Sequence, residues 1–251
     1  MATPRTRTAQ ARTSDEERDF LAGYDPAAFA RPSVTVDVVL LTLERGQLHT
    51  LLIRRPDHPG KGRWALPGGF IHMDESLDDA AARVLRAKTG LENVFLEQLY
   101  TFGEVDRDPR TRIISVAYYA LVDAGRFAEV TVPREEAAVA RLVATRSPQA
   151  VAVRSPDGGP LALAFDHESI LATAFARIRG KIDYAPIGYE LLPPAFTLSQ
   201  LQKVHEAVLG RKLNKDSFRR RILASGQLQP TGESQQDVEH RPASLYRFTN
   251  R

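Results

Sequence analysis

Three arginines, Arg107, Arg110 and Arg112, crowd a polar loop that starts beside an aromatic strand end at Phe102 and leads into an apolar run containing Tyr118. Guanidinium forks match the paired oxygens of a diphosphate, and a neighbouring aromatic ring can stack on a base. The loop is therefore a candidate diphosphate clamp, with Phe102 or Tyr118 as the stacking partner. A second basic set, Lys215, Arg219, Arg220 and Arg221, lies toward the C-terminus. Placing Phe218 at 0° on a helix turning about 100° per residue puts Ile222 near 40° and Leu223 near 140°, so the apolar arc centres near 60°. The opposite side then presents Ser217, Arg220 and Arg221. An arginine so placed can donate two hydrogen bonds to guanine in the major groove or grip a phosphate. Lys215, at the helix start, and Arg241, in the hairpin expected to follow, suit phosphates.

The elements that must position these groups divide into two kinds. Ser33 onward opens with β-branched and aliphatic runs, Val34–Leu43 and Leu48–Arg54, which form a hairpin around a Gly-containing turn. Ser76 can cap a helix with Asp79 at the third position, apolar residues recur from Leu77 to Leu85, and Gly90 ends it. Val94–Phe102 and Ile113–Val122 are strands; Val132–Ala150 fits no single element. Val151–Val153 and Leu161–Ala164 flank a Pro/Gly turn and form a hairpin. Asp166 caps a helix with an apolar stripe of Ile170, Leu171, Ala174, Phe175 and Ile178. Asp37 stands alone among valines, as an edge residue, a pocket-facing residue or a ligand contact.

After a Pro-rich connector, Asp183–Pro194, the pattern changes. Thr197 and Gln200 make a capping box, Phe196 and Leu201 can staple the entry, and Gly210 closes the helix. Asn214 caps a second helix, and two short strands follow, Leu228–Pro230 and Ser244–Phe248. Helix, tight turn, helix and hairpin is the order of a winged helix-turn-helix.

Composition narrows the functional classes. With 43% hydrophobic and 26% charged residues the chain has the makeup of a soluble globular protein. It contains no cysteine, which excludes disulfides, thiolate catalysis and cysteine zinc sites. No run approaches the roughly 18 apolar residues of a membrane span, which points to a cytoplasmic protein with no membrane partner. The net charge of +3 is uneven, with ten basic against five acidic residues from Phe196 onward. A basic C-terminal part favours a polyanionic partner. It lacks the exposed aromatic platform that single-stranded RNA recognition uses.

The frame Gly69, Glu75, Arg83, Leu85, Gly90 and Leu91 resembles the Nudix box, the loop-helix-loop signature of hydrolases of nucleoside diphosphates linked to another moiety. In that pattern the helix carries three glutamates where this chain has Val84, Ala87 and Lys88. Those positions are spaced i, i+3, i+4 and share one face. In the hydrolases the face holds magnesium or manganese; here it would repel a cation. The resemblance thus implies a Nudix fold with its nucleotide pocket kept and its catalysis lost, without metal or cofactor. Tyr100-Thr-Phe-Gly103, Asp106-Arg-Asp-Pro-Arg110 and Ser115-Val-Ala-Tyr-Tyr-Ala-Leu121 look like the branch that binds ADP-ribose. Expected ligand contacts are Arg54, Trp64, Gly69, Phe102, Arg107, Arg112 and Tyr118; expected DNA contacts are Lys215, Ser217, Arg220, Arg221 and Arg241.

Together with Arg31-Pro-Ser-Val-Thr-Val-Asp37, Phe196-Thr-Leu-Ser-Gln-Leu-Gln202 and Arg241-Pro-Ala-Ser-Leu-Tyr-Arg-Phe248, these motifs resemble the Nudix-related transcriptional regulator (NrtR) family. The fold implied is α/β: a flexible arm over 1–30, a Nudix α/β/α sandwich with a mixed sheet over 31–182, and a winged helix-turn-helix over 183–251. The function implied is a homodimeric repressor of NAD-biosynthesis genes that binds double-stranded operator DNA and responds to ADP-ribose or a related nucleotide. The competing reading is a metal-dependent ADP-ribose pyrophosphatase; it would need Glu75, Asp78, Asp79 and Glu104 to assemble as replacement ligands.

Overall fold

The computed structural model describes residues 14–133, 135–145, 150–236 and 242–249. Residues Met1–Pro32 and Ser33–Arg251 form two separate units. In the first, Ser14 accepts the Glu17 N–H at 3.1 Å and caps helix α1 (Asp15–Gly23), whose Phe20 and Leu21 are exposed. Residues 1–13 of the expected arm lie outside the described residues.

The second unit is built around β1 (Ser33–Glu44). It pairs antiparallel with β2 (Gln47–Arg54) and parallel with β6 (Ile113–Leu121). The sheet runs β5-β6-β1-β2-β7-β8, with β5 (Phe95–Phe102), β7 (Ala137–Ala144) and β8 (Val151–Arg154) antiparallel to their neighbours. Two short strands leave this path: β3 (Trp64–Ala65) on β2 and β4 (Gly68–Phe70) on β1. Residues 36–42 of β1 are all buried because helices cover both faces of the sheet. Alternation decides which side each residue serves. Val36, Val38 and Leu40 pack under α2 (Leu77–Thr89), while Val39 and Leu41 face α4 (His167–Lys181) and the elements after it.

The expected caps form. Ser76 Oγ accepts the Asp79 N–H at 3.1 Å, and Gly90 ends α2 at φ 77°, a left-handed conformation that glycine adopts without strain. Two stretches left open by the sequence are resolved, and one expected strand is shortened. Ala137–Ala144, alanine-rich and weak in β propensity, becomes β7 because the free edge of β2 offers it a ladder. The expected turn closes, with Arg154 bridged antiparallel to Pro160 and the Leu161 N–H donating to the Val153 carbonyl at 3.4 Å, but Ala162–Ala164 does not continue as a strand on β8. The Ala162 carbonyl accepts from Trp64 N–H, and the Ala164 N–H donates to the Trp64 carbonyl, so the segment turns away from β8 toward β3. A short helix, α3 (Ala124–Ala128), follows β6.

The Pro-rich connector carries a 3-10 helix, Pro186–Leu191, with Ile187, Tyr189, Leu191 and Leu192 buried. Tyr189 stacks on Phe248 with ring centroids 4.4 Å apart. A single apolar cluster therefore runs from the sheet through Ile170, Phe175 and Ile178 of α4 to Leu201, Val204 and Phe218.

Beyond it lie α5 (Leu198–Leu209), α6 (Lys215–Ala224) and the hairpin β9 (Leu228–Ser234) and β10 (Ser244–Phe248). The capping box is complete: Thr197 Oγ1 accepts the Gln200 N–H at 3.1 Å and Gln200 Oε1 accepts the Thr197 N–H at 2.7 Å. Glu206 fixes the turn between the two helices. Its carboxylate accepts the Leu213 N–H at 2.9 Å, Gln202 Nε2 at 3.0 Å and Lys212 Nζ at 3.0 Å. The Leu213 amide, then Lys212 and Gln202, hold its pKa down to about 2.

A carboxylate depressed in the folded state adds stability that is complete above its ordinary value near 4.5 and is lost as pH falls toward 2. Glu206→Gln should therefore lower the urea midpoint at about pH 7, and the gap from the parent protein should close as pH falls from about 4.5 toward 2.

Candidate functional site

β4 delivers the box loop to α2. Its Gly68 lies against Asp37, and a Cβ there would come 2.2 Å from Asp37 Oδ1, so only glycine permits this approach. At the other end of the loop Arg83 holds Glu75: Nε to Oε2 at 2.8 Å, Nη2 to Oε1 at 2.5 Å and Nη2 to the Phe70 carbonyl at 3.0 Å. The Arg83 hydrogen bonds, aided by the His72 N–H, pull Glu75 down to about 2. Glu75 thus serves the frame of the loop and is not free to bind a cation.

The helix face that would carry the metal ligands does not fit a divalent ion. Val84 is buried among Val36, Val38 and Leu85, and its Cγ2 lies 3.2 Å from where a Gly69 Cβ would stand. Ala87 and Lys88 are exposed. Asp78 is turned to Tyr118, whose hydroxyl donates to Oδ1 at 2.6 Å, and Asp79 accepts from Ser76 Oγ at 2.7 Å. Among the described residues no three His, Asp or Glu side chains could hold a metal ion. A hard cation needs carboxylate oxygens, and this face supplies methyls and an ammonium.

Beside the loop is a cleft of about 400 Å³. Pro59, Gly60 and Arg63 form one wall, Asp106, Arg107 and Pro109 another, and Phe165 with Asp166 a third. Phe165 sits at φ 52°, a conformation that bulky residues rarely adopt. Two guanidinium groups approach its ring, Arg55 at 4.7 Å and Arg110 at 5.9 Å from the centroid, and Arg110 also lies 5.6 Å from the Phe70 ring. Burial, then the neighbouring Arg110 charge, lowers the pKa of Arg55. Arg110 is bound to Asp108 through Nε at 3.0 Å and Nη2 at 2.7 Å.

Under the cleft is a buried polar cluster. Arg107 donates to Asp166 from Nε at 2.9 Å and Nη2 at 2.6 Å, and its side chain is only 5% exposed. Asp37 Oδ2 accepts from Ser115 Oγ at 2.5 Å and lies 3.8 Å from Arg107 Nη2. The Leu66 N–H donates to His167 Nδ1 at 2.8 Å, which leaves the proton of a neutral ring on Nε2, 3.8 Å from Asp37 Oδ1. Burial lowers the His167 pKa, consistent with the neutral ring. Asp37 is thus the centre of a buried network. Asp166 precedes α4 as expected but makes no capping bond, because Arg107 takes both of its oxygens.

The expected ligand contacts scatter. Of that set only Arg107 lines the cleft, with its fork already engaged by Asp166. Tyr118 is buried beneath α2, so its ring offers no face for stacking. Gly69 packs on Val84, while Trp64 and Phe102 lie half-buried against the core. Arg54 is exposed, and Arg112 Nη1 donates to the Glu104 carbonyl at 2.9 Å. Arg55, Arg63 and Phe165 were missed: each is separated in sequence from the arginine loop, and no periodicity marks them.

The basic face forms on α6. Asn214 Oδ1 accepts the Ser217 N–H at 3.0 Å, and Phe218 and Ile222 point inward. Leu223 is 48% exposed, so the buried arc centres nearer about 20° than 60° and its opposite falls close to Arg220. Lys215, Ser217, Arg219 and Arg220 are exposed. Lys215 and the unanticipated Arg219 line a groove of about 980 Å³ together with Lys203 and Lys212 of the helix-turn-helix and Tyr246 of the hairpin. Arg221 departs from the expected face: Nη1 donates to Asp183 Oδ1 at 3.0 Å, and the guanidinium lies 5.7 Å from the Phe218 ring. Arg241 lies outside the described residues.

Breaking a buried charge pair from one side leaves an uncompensated charge. Asp166→Ala should therefore destabilise the protein by about 3–5 kcal/mol. Chemical denaturation would measure it, with the exposed Asp79→Ala as the reference substitution.

Residues 188–248 match the family described as the NrtR DNA-binding winged helix domain, and residues 31–157 match the NUDIX domain. An ADPR responsive transcriptional repressor NtrR of Acinetobacter baylyi is 38% identical over 234 residues, 92% of this chain and 88% of that protein. The crystal structure of Shewanella oneidensis NrtR complexed with a 27mer DNA is 34% identical and superposes with a TM-score of 0.70, covering 86% of this chain and 93% of that one. The NUDIX domain of the same protein complexed with ADP ribose, 34% identical, superposes with a TM-score of 0.50 over 64% of this chain and 98% of that one. With a likeness that spans both of its parts, the chain belongs to the NrtR family, in which a Nudix domain is joined to a DNA-binding winged helix domain.

Proposed function

We propose that this protein is a transcriptional repressor of NAD-metabolism genes whose Nudix domain senses ADP-ribose or a closely related nucleotide and does not hydrolyse it. The observation that carries the reading is Val84 buried against Gly69 where the hydrolase pattern places a metal-binding glutamate. A core residue there removes the ligand and fills its space, and Lys88 places a positive charge on the exposed part of the same face. The cleft beside it retains what an ADP-ribose ligand uses. Arg63 lines it as a fork donor for the diphosphate, Arg55 adds a second cation over the ring of Phe165, and Phe165 supplies a ring face for the base. The DNA and ADP-ribose complexes of the Shewanella relative support both partners.

On DNA, α6 enters the major groove with Arg220 toward base edges, while Lys215, Ser217 and Arg219 hold the backbone. Each chain carries one such helix, so a homodimer on a palindromic operator in the cytoplasm completes the reading. No helix among the described residues is long and apolar enough to cross a membrane.

An anisotropy titration with the DNA upstream of the protein's own gene tests the proposal. ADP-ribose should weaken binding by roughly 5- to 150-fold, and operator DNA should weaken ADP-ribose binding by the same factor. No AMP should form when magnesium is present. Rapid metal-dependent cleavage without sequence-specific DNA binding would establish the pyrophosphatase reading instead.

Two substitutions separate the sites. Arg63→Ala should weaken ADP-ribose binding about tenfold or more, measured by calorimetry, with DNA affinity unchanged. Arg220→Ala should cost about 1–3 kcal/mol of operator binding and relax discrimination at one base pair, measured against a set of altered operators.

A further inference from the structure

Helix α4 joins the two sites through charged residues at its ends. Asp166, before its first turn, binds the cleft-lining Arg107. Some 22 Å away at 1.5 Å per residue, the other end meets the helix-turn-helix twice. Arg179 Nη2 donates to the Leu209 carbonyl at the end of α5 at 3.2 Å, and Asp183, just past the helix, takes Arg221 of α6 at 3.0 Å. Asp183 Oδ1 is also 3.7 Å from His205 Nδ1, a buried nitrogen with no hydrogen-bond partner. The carboxylate therefore faces two groups and satisfies one.

We propose that Asp183 is a positioning residue for DNA binding: it holds Arg221 off the operator and, through α4, ties the placement of α6 to the state of the nucleotide cleft. Without this contact Arg221 flanks Ser217 and Ala224 on α6 and, half-exposed, is free to reach a phosphate. DNA binding then exchanges a carboxylate partner for a phosphate partner. A ligand seated in the cleft, which Arg107 and Asp166 both line, resets this pair, and α4 carries the change to Asp183 and Arg179. The inference rests on the sensor reading above, since it describes how that cleft acts on that helix.

The experiment uses the full-length protein and its own upstream DNA, with parent, Asp183→Asn, Arg221→Ala and the double variant. In Asp183→Asn the salt dependence of DNA binding should steepen by about one phosphate contact, and the gain should vanish in the double variant. The weakening of DNA binding by ADP-ribose should shrink in Asp183→Asn to less than a third of the parental factor, while ADP-ribose affinity in the absence of DNA stays the same. A parental salt slope and a parental ADP-ribose effect in Asp183→Asn would overturn the proposal and leave the sensor reading intact. Loss of the ADP-ribose effect in the parent protein itself would overturn the sensor reading, and the positioning role with it.

Discussion

The ion pair between Arg107 and Asp166 is the constraint on which the rest of the molecule depends. It is largely buried on the Arg107 side, bidentate and adjoined by Asp37, so two carboxylates and one guanidinium must be satisfied together in one place. Each partner comes from a different part of the chain: the loop after β5, the start of α4 and the middle of β1. Charges this deep are costly unless they are paired and hydrogen-bonded, and meeting that condition holds the loop, the helix and the strand in one register. The cleft is the space left between them. Its shape follows from the pairing, and Gly68 is required because its backbone closes against the same Asp37.

The Nudix frame and the lost metal site are two consequences of one packing decision. Glu75 and Arg83 still bind each other and shape the loop, so the frame persists. Val84 then joins the apolar layer beneath α2, and a valine there gains from burial what a glutamate could gain only from a metal. Retention of the loop geometry with loss of the ligands makes the site suited to recognition. The helix-turn-helix shows the same division, with Glu206 and Lys212 consumed by the turn while Lys215 and Arg219 face the groove.

The helix-turn-helix is not hung from the sheet by a loose tether. The 3-10 segment after α4 is buried, Tyr189 stacks on Phe248 of the hairpin, and the apolar cluster continues into Leu201 and Phe218. A continuous core transmits small displacements, because close-packed interiors deform little. A change at the cleft therefore has a material route to the DNA face through α4.

By itself the sequence determined the elements whose signals are local. The cap at Ser76, the capping box at Thr197, the left-handed glycines at Gly90 and Gly210, the apolar stripe of α4 and the order of the winged helix all depend on contacts within a few residues. The box frame was legible for the same reason, as was the absence of three carboxylates from its helix. Only the tertiary structure decided β7, which exists because β2 had an open edge, and the true buried arc of α6, which leaves Leu223 in solvent. It also decided the site. Arg55, Phe165 and Arg110 meet across more than a hundred residues of chain, and Arg107 and Arg221 are diverted to the carboxylates of Asp166 and Asp183, which no spacing connects to them. Local hydrogen bonds and periodicity are written in neighbouring residues, whereas the partner of a long charged side chain depends on which distant segments the core brings within its reach.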